Sequence, residues 1–314
     1  RSPLLIAESV LLARAAIGLG EKALALQHIV FIADMATAEP YTNSNMNVAL
    51  WSLVAELHYM LDDVAEAITH YKKWITMVDK HITDYFIRAD AYSIMASFFL
   101  SLKDYPQALV YSKLCYEYRE RVYLTEQAVL ETAKRNAYCN HAIILSLSKK
   151  GMEAINFWNK AMVLAKGPLD EARVLEKAAK CFTAAGDYNN AVSFYARCFE
   201  AYLAYEKQTH KRLPTSDLTA YLTAYSQYVV ILFEEMEDLK KAEMACIRCV
   251  ELLEKHYGSE SLDTASGYYM LGMVLLKSGW QANGKKALDK AEHILRSSND
   301  PMHRDMVKNC QLCK

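Results

Sequence analysis

A pair of small residues, twelve positions apart, recurs seven times along this sequence at intervals of about 43 residues. Thirteen of the fourteen positions hold Ala or Gly, and mostly bulky residues follow the second member by four positions. Offsets of 0, 4 and 7 fall on one face of an α-helix. We therefore predict seven helical hairpins, each with its two helices crossing where missing side chains let the backbones approach closely. The pairs are Ala13/Ala25, Ala55/Ala67, Ala96/Ala108, Ala142/Ala154, Ala179/Ala191, Val230/Ala242 and Gly272/Gly284.

The scarcity of chain-breaking residues agrees with a helical fold. The 314 residues include 10 Gly and 6 Pro, about 5% together against roughly 12% in an average soluble protein. A many-stranded sandwich or barrel is excluded, because it turns about every 8–12 residues and uses Gly and Pro to do so. A fifteenth helix, from Pro301 to Cys313, is predicted to cap the row or to open an eighth unit.

The predicted fold is all-α: a right-handed α-solenoid of about seven hairpins with a C-terminal capping helix. No linker rich in Gly, Ser or Pro interrupts the repeats, so we expect a single domain over residues 1–314. Since the sequence begins without Met, we also expect it to be a segment of a longer chain.

Charge and motifs exclude several classes of function. The 36 Lys and Arg residues balance 37 Asp and Glu residues, which gives a net charge of -1 and no overall field that would favour nucleic acid. No apolar run reaches the roughly 18 residues of a membrane-spanning helix. A phosphate-binding loop, a dinucleotide-binding glycine motif and a nucleophile elbow are missing from the sequence. We therefore expect no enzyme, no cofactor, no nucleic-acid partner and no membrane insertion.

Two of the predicted turns carry a recurring motif. Gly186-Asp187-Tyr188-Asn189-Asn190-Ala191 is followed by Tyr195, and Lys103-Asp104-Tyr105-Pro106-Gln107-Ala108 has the same pattern. Both resemble the start of the second helix in the tetratricopeptide repeat (TPR) superfamily. The units are longer than the TPR unit of about 34 residues and are more similar to the longer repeats of kinesin light chain. Residues 256–272 resemble that branch and also TPR proteins of motile cilia that carry a MYND-type zinc finger.

The resemblance implies that the first helix of each hairpin lines a concave groove, which binds a peptide or helix of a partner protein. A solvated inner face that binds nothing is the alternative. A clamp for a C-terminal carboxylate, as in chaperone-binding TPR domains, is not expected. Such a clamp is spread over three adjacent first helices, whereas its only candidates here, Arg173 and Lys180, lie on one predicted helix. The candidate groove residues are Arg14, Glu56, Asp90, Asn136, Arg173, Glu176, Lys180, Gln227 and Tyr269.

Apolar residues return among the implied groove positions near the two ends of the chain, whereas short polar residues dominate the middle. The end positions include Ala7, Val10 and Ala49 in the first two hairpins, Ala224, Gln227 and Ile231 in the sixth, and Ser266, Tyr269 and Met273 in the seventh.

Two cysteine pairs have a spacing that allows both thiolates to bind one zinc ion. Cys310 and Cys313 either open a zinc finger that continues past Lys314 or lie on one helix face. Cys246 and Cys249 occupy the packing positions of a second helix, so we expect them to be buried. No metal site is assigned, since a structural zinc ion needs four ligands.

A basic cluster precedes Pro214 in the longest interval between repeats. It consists of Lys207, His210, Lys211 and Arg212. Because loops often carry partner contacts, we consider it a candidate contact for an acidic partner. A merely solvated group of charges is the alternative.

These features together favour a non-enzymatic scaffold for protein–protein interaction. The eight cysteines, mostly within apolar helical patterns, suit a reducing compartment, so we expect a cytoplasmic subunit of a multiprotein complex, with a cytoskeletal or ciliary (axonemal) assembly as a candidate. Two alternatives stay open. One is a regulatory or substrate-recruiting module of a larger enzyme or zinc-finger protein, and the other is a peptide-ligand sensor.

Overall fold

The structure, a computed structural model, describes residues 3–38, 45–123 and 126–313. Within these ranges it contains fifteen α-helices and no β-strand, which confirms the predicted all-α fold of helical hairpins. The helices are α1 (Pro3–Gly18), α2 (Lys22–Thr37), α3 (Asn45–Met60), α4 (Val64–His81), α5 (Tyr85–Ser101), α6 (Tyr105–Arg121), α7 (Gln127–Leu147), α8 (Gly151–Val163), α9 (Pro168–Ala184), α10 (Tyr188–Thr209), α11 (Thr215–Val230), α12 (Leu239–Tyr257), α13 (Leu262–Lys277), α14 (Gln281–Leu295) and α15 (Pro301–Leu312).

The chain divides into two compact units, Arg1–Ile144 and Leu145–Lys314. The first unit contains the hairpins α1/α2, α3/α4 and α5/α6, whose core includes Trp51, Trp74 and Phe99. The second contains α9/α10, α11/α12 and α13/α14, followed by α15.

Most of the predicted small residues are fully buried, and the last pair shows why their size matters. A Cβ atom on Gly272 would lie 2.6 Å from Leu288 Cγ and 3.1 Å from the carbonyl oxygen of Gly284. A Cβ atom on Gly284 would lie 3.1 Å from the backbone nitrogen of Leu276. The two backbones therefore approach at the predicted crossing of α13 and α14, with no room for a side chain.

Each hairpin turns through one residue in the left-handed conformation, five positions before the small residue of the second helix. In the α9/α10 turn, the backbone N–H of Asp187 donates to the carbonyl of Phe182, five residues back, at 2.9 Å. The Asp187 carboxylate then accepts a hydrogen bond from the backbone N–H of Asn190 and caps α10. The left-handed residues, with φ between 51° and 88°, are Gly20, Asp62, Lys103, Lys149, Gly186, Glu237 and Gly279.

The sixth hairpin departs from this pattern, because α11 continues into a π-helical turn at Ile231–Glu235. The backbone N–H of Asp238 consequently donates to the carbonyl of Leu232, six residues back instead of five. One residue has in effect been inserted. The buried crossing position is therefore Val229, which is 1% exposed, and the prediction of Val230 for this position is wrong.

Candidate functional site

Two of the candidate groove residues pair with each other. Arg14 of α1 donates from Nη2 to Glu56 Oε1 of α3 at 2.9 Å. The two residues are 42 positions apart, one repeat, so the ion pair links successive first helices. Both side chains are about half exposed, and an exposed ion pair of this kind contributes little to stability.

A more buried pair links the first helices α9 and α11. Arg173 donates from Nε to Asp217 Oδ1 at 2.7 Å and from Nη2 to Asp217 Oδ2 at 2.8 Å. Asp217 is 4% exposed, and its hydrogen bond raises the pKa of the Arg173 guanidinium. Arg173 is thus occupied within the chain. The sequence offered one signal for Asp217, its separation from Arg173 by 44 residues, close to one repeat.

The two other candidate residues of α9, Glu176 and Lys180, pair with each other. Lys180 Nζ donates to Glu176 Oε1 at 2.6 Å, and the buried Tyr202 hydroxyl donates to Glu176 Oε2 at 3.3 Å. Gln227 of α11 accepts a hydrogen bond from the Tyr195 hydroxyl at 2.6 Å.

Three other candidates lie apart from these pairs. Asp90 accepts an ion-pair hydrogen bond from Arg119 of α6. Tyr269 accepts a hydrogen bond from Asn309 Nδ2 of α15 at 3.2 Å. Asn136 of α7 is exposed. The structure therefore places the candidates on successive first helices, but most of them serve contacts within the chain.

The predicted basic cluster is exposed at the end of α10 and in the segment before α11. His210 ends α10 in the left-handed conformation, with φ at 53°. Among the described residues, no carboxylate forms an ion pair with Lys207, Lys211 or Arg212. Their contact with an acidic partner stays a prediction.

The second unit contains a cavity of about 490 Å³ that opens between α11, α13 and α15. We call it the methionine cavity. Its volume is in the range typical of binding pockets, roughly 300–1,000 Å³. It is lined by Thr219, Leu222, Thr223, Ser226, Val229, Phe233, Glu234, Cys246, Cys249, Leu253, Tyr257, Asp263, Ser266, Gly267, Tyr269, Met270, Met273, Met302 and Met306.

The local structure explains how this cavity is built. The π-helical turn adds a residue to the end of the first helix and contributes Phe233 and Glu234 to the lining. Residues of α12 form the floor between α11 and α13. Gly267 lets α13 lie close to that floor, since a Cβ atom there would be 2.8 Å from Leu253 Cδ1.

The lining is mostly apolar and adaptable. Four methionines, Met270, Met273, Met302 and Met306, come from α13 and α15. Methionine side chains are flexible and polarisable, so they fit apolar surfaces of different shape. Hydroxyl groups and two carboxylates stand among them, and the lining contains no Lys or Arg.

The two cysteines of the floor are buried, as the sequence predicted. Burial raises the pKa of the Cys246 thiol, and it raises the pKa of the Cys249 thiol to about 11. A thiol with so high a pKa stays protonated near neutral pH and is a poor nucleophile or metal ligand. Cys246 and Cys249 therefore serve as packing residues.

The sequence located one side of the methionine cavity and missed the other. Ser266, Tyr269 and Met273 of α13, at implied groove positions, all line it. In α11 the lining includes Thr223 and Ser226, each one position before the implied Ala224 and Gln227. The inserted residue of the π-helical turn shifts the register of α11 by one position. The sequence does not show this shift, because Val230 and Ala242 keep the usual spacing of twelve residues.

A second cavity, of about 430 Å³, lies between α1 and α3 in the first unit. We call it the aliphatic cavity. It includes the implied groove positions Ala7, Val10 and Ala49. Its lining residues are Ile6, Ala7, Val10, Leu11, Met46, Ala49, Leu50 and Leu53.

The C-terminal cysteine pair does not assemble a metal site in the described ranges. Cys310 is buried and packs with Leu288 and Leu295 of α14. Across those ranges, no group of three or more His, Cys, Asp or Glu side chains could hold a metal ion. Every helix described there is too short or too polar to cross a membrane.

Comparison with known proteins identifies similar folds only. No protein-family model matches the sequence, and no curated protein matches it. The TPR-like repeats of a Podosopora anserina kinesin light chain superpose with a TM-score of 0.51 at 12% identity, over 67% of this chain and 100% of theirs. A tetratricopeptide repeat protein from Parabacteroides merdae aligns over 98% of this chain and 99% of its own, at 12% identity and a TM-score of 0.48.

The first comparison shows that the fold of this chain is similar to that of TPR-like repeats. At such low identity it shows the fold alone. The comparisons support neither the MYND zinc finger nor the ciliary part of the resemblance.

Proposed function

We propose that this chain is a non-enzymatic scaffold that binds a helix or peptide of a partner protein in the methionine cavity. The observation that supports this proposal is an apolar cavity of about 490 Å³ bordered by α11, α13 and α15. Helix-in-groove recognition needs an apolar recess about as long as a few helical turns, and α11 and α13 provide one.

The candidate residues from the sequence take a different role in this proposal. Arg14, Glu56, Arg173, Glu176 and Lys180 mainly connect or neutralise first helices. Partner binding is assigned instead to the apolar side chains that line the methionine cavity. The aliphatic cavity of the first unit is a second, separate surface of the same scaffold. Residues 1–314 would then form one scaffold within a multiprotein complex. No observation favours a ciliary assembly over any other.

The proposal is tested by cross-linking capture with two matched variants. Met302 of α15 is 62% exposed and lines the cavity, whereas Met152 of α8 is 79% exposed and lies outside it. Met302→Glu should abolish capture of partners whose cross-links map to α11, α13 and α15, and Met152→Glu should leave it unchanged. Equal capture by both variants, or cross-links confined to other helices, would contradict the proposal.

A further inference from the structure

Given the proposed function, on which this step rests, we infer that the occupant of the methionine cavity is a cationic amphipathic helix of a partner protein. The occupant's apolar face lies against the methionines, and its Lys or Arg side chains reach two carboxylates in the lining, Glu234 and Asp263.

Glu234 is the unengaged member of an acidic run. Of its neighbours, Glu235 accepts a hydrogen bond from Tyr188, Glu237 lies 3.9 Å from Lys277 Nζ, and Asp238 caps α12 and pairs with Lys241 at 2.8 Å. Among the described residues, Glu234 has no hydrogen-bond or ion-pair partner for its carboxylate. The π-helical turn places this free carboxylate in the lining of the cavity.

Asp263 is similarly unengaged, in the first turn of α13. The cap of this helix is Ser261, whose hydroxyl oxygen accepts from the backbone N–H of Thr264 at 3.1 Å. The Asp263 carboxylate is therefore not needed as a cap, and no described cation pairs with it. It is exposed and lines the cavity.

The two carboxylates belong to opposite ends of the first helices: Asp263 lies in the first turn of α13, and Glu234 lies in the π-helical turn that follows α11. The first helices α11 and α13 occupy equivalent places in successive hairpins and run in the same direction. Since Gly272 of α13 is equivalent to Val229 of α11, Asp263 in the first turn of α13 corresponds to Ala220 of α11. Fourteen residues separate Ala220 from Glu234, which at about 1.5 Å per residue is roughly 21 Å. A partner helix of about four turns spans this distance.

The charge around the cavity favours a cationic occupant over a neutral or acidic one. Lys277, which contacts the lining residue Phe233, is already engaged: its Nζ lies 4.7 Å from the centre of the Phe233 ring and 3.9 Å from Glu237. Two uncompensated carboxylates repel an acidic helix and attract a basic one. The methionines between them fit an apolar face of varied shape.

The test uses three synthetic helices of about 20 residues with the same Leu/Met face. Two flanking positions about four turns apart carry Lys, Gln or Glu. At low salt, the Lys helix should bind about fivefold to tenfold more tightly than the Gln helix, and the Glu helix most weakly. Raised ionic strength should reduce the difference. The measurement is fluorescence anisotropy with the whole chain.

Protein variants separate this inference from the proposed function. Glu234→Gln/Asp263→Asn should bring the Lys and Gln helices within about twofold of each other, while Glu260→Gln, an exposed neighbour outside the lining, should change nothing. A second outcome is that the wild type binds the Lys and Gln helices equally and that Met302→Glu binds neither. That result would contradict a cationic partner but would still support helix binding in the cavity. Binding of no helix, or binding insensitive to Met302→Glu, would overturn both.

A neutral fluorescent probe, N-phenyl-1-naphthylamine, tests for the rival occupant, an apolar small molecule. Saturable binding of the probe that is lost in Met302→Glu, with no displacement by any of the three helices, would show that the cavity is a small-molecule site. The inference would then be wrong. Displacement of the probe by the Lys helix at lower concentration than by the Gln helix would support it.

Discussion

The aliphatic and methionine cavities are built by the same kind of helical hairpin, yet their chemistry differs. The aliphatic cavity is lined by eight apolar residues, and the methionine cavity adds aromatic rings, hydroxyl groups and two free carboxylates. The first lies between regular helices, whereas the second adjoins the π-helical turn. Because small buried residues hold each hairpin together, the exposed positions of first helices vary without loss of the fold.

This comparison separates residues that maintain the hairpins from residues that provide a surface. Hairpin residues should affect stability in either unit, and surface residues should affect binding in one unit only. The following variants examine that separation, from the largest expected effect to the smallest.

Gly284→Val should have the largest effect, because the new side chain meets the backbone of Leu276 at the α13/α14 crossing. We expect a loss of about 3 kcal/mol in stability, detected by hydrogen exchange as lost protection in α13 and α14. Gly18→Ala is the control: nothing lies within 4 Å of its Cβ position, and Ala favours a helix. Unchanged protection in Gly284→Val would disprove the close crossing.

Arg173→Ala should cost about 2 kcal/mol, since it leaves the buried Asp217 carboxylate without its bidentate partner. The half-exposed arginine keeps the loss below that of a fully buried pair. Adding Asp217→Asn should restore part of the stability in chemical denaturation. If the double variant is no more stable than Arg173→Ala, the buried charge is not the cause.

Deletion of Glu235 should regularise the end of α11 and narrow the methionine cavity. We expect stability within about 1 kcal/mol of the wild type and binding of the Lys helix at least about tenfold weaker. Tyr188→Phe is the matched control, because it removes the Tyr188–Glu235 hydrogen bond without changing the chain length. Full binding after the deletion would show that the π-helical turn is dispensable for the site.

Arg14→Ala should cost only about 0.5 kcal/mol, because Arg14 and Glu56 are both about half exposed. The variant is compared with Arg173→Ala in the same chemical denaturation experiment. The two pairs have nearly the same sequence spacing but different burial, so equal losses would show that burial does not determine their contribution.

The smallest effect concerns pH. His70 stacks between Trp51 and His58, at ring distances of 5.4 and 5.0 Å, and burial, followed by the charge of His58, lowers its pKa from 6.5. The unfolded chain therefore binds a proton at higher pH than the folded one, and stability is lost as pH falls below about 6.5. His70→Gln should flatten this dependence in hydrogen exchange of α3 and α4, whereas His210→Gln should not.

Much of the fold could be predicted from the sequence, because its causes are local and repeated. The small residues, the turns and the first-helix faces all recur at regular spacing. The π-helical turn could not be predicted, since Val230 and Ala242 keep the usual separation. The spacing of Arg173 and Asp217, close to one repeat, is visible in the sequence, but their hydrogen bonds depend on how α9 and α11 pack.

The candidate site shows the same division. Ser266, Tyr269 and Met273 lie at positions set by a regular hairpin, so the spacing located them. The places of Thr223, Ser226 and Glu234 depend on the residue inserted at the π-helical turn. Sequence periodicity carries no record of such an insertion.

The π-helical turn also bears on how arrays of this kind diversify. Because each hairpin packs only on its neighbours, an inserted residue is absorbed within one turn and does not propagate along the chain. The following turn still closes on a left-handed residue, Glu237, and the next helix still begins at an aspartate cap. Gain of a single codon can thus create a recess in one repeat while the other repeats keep their sequences, which lets a scaffold acquire new partners one repeat at a time.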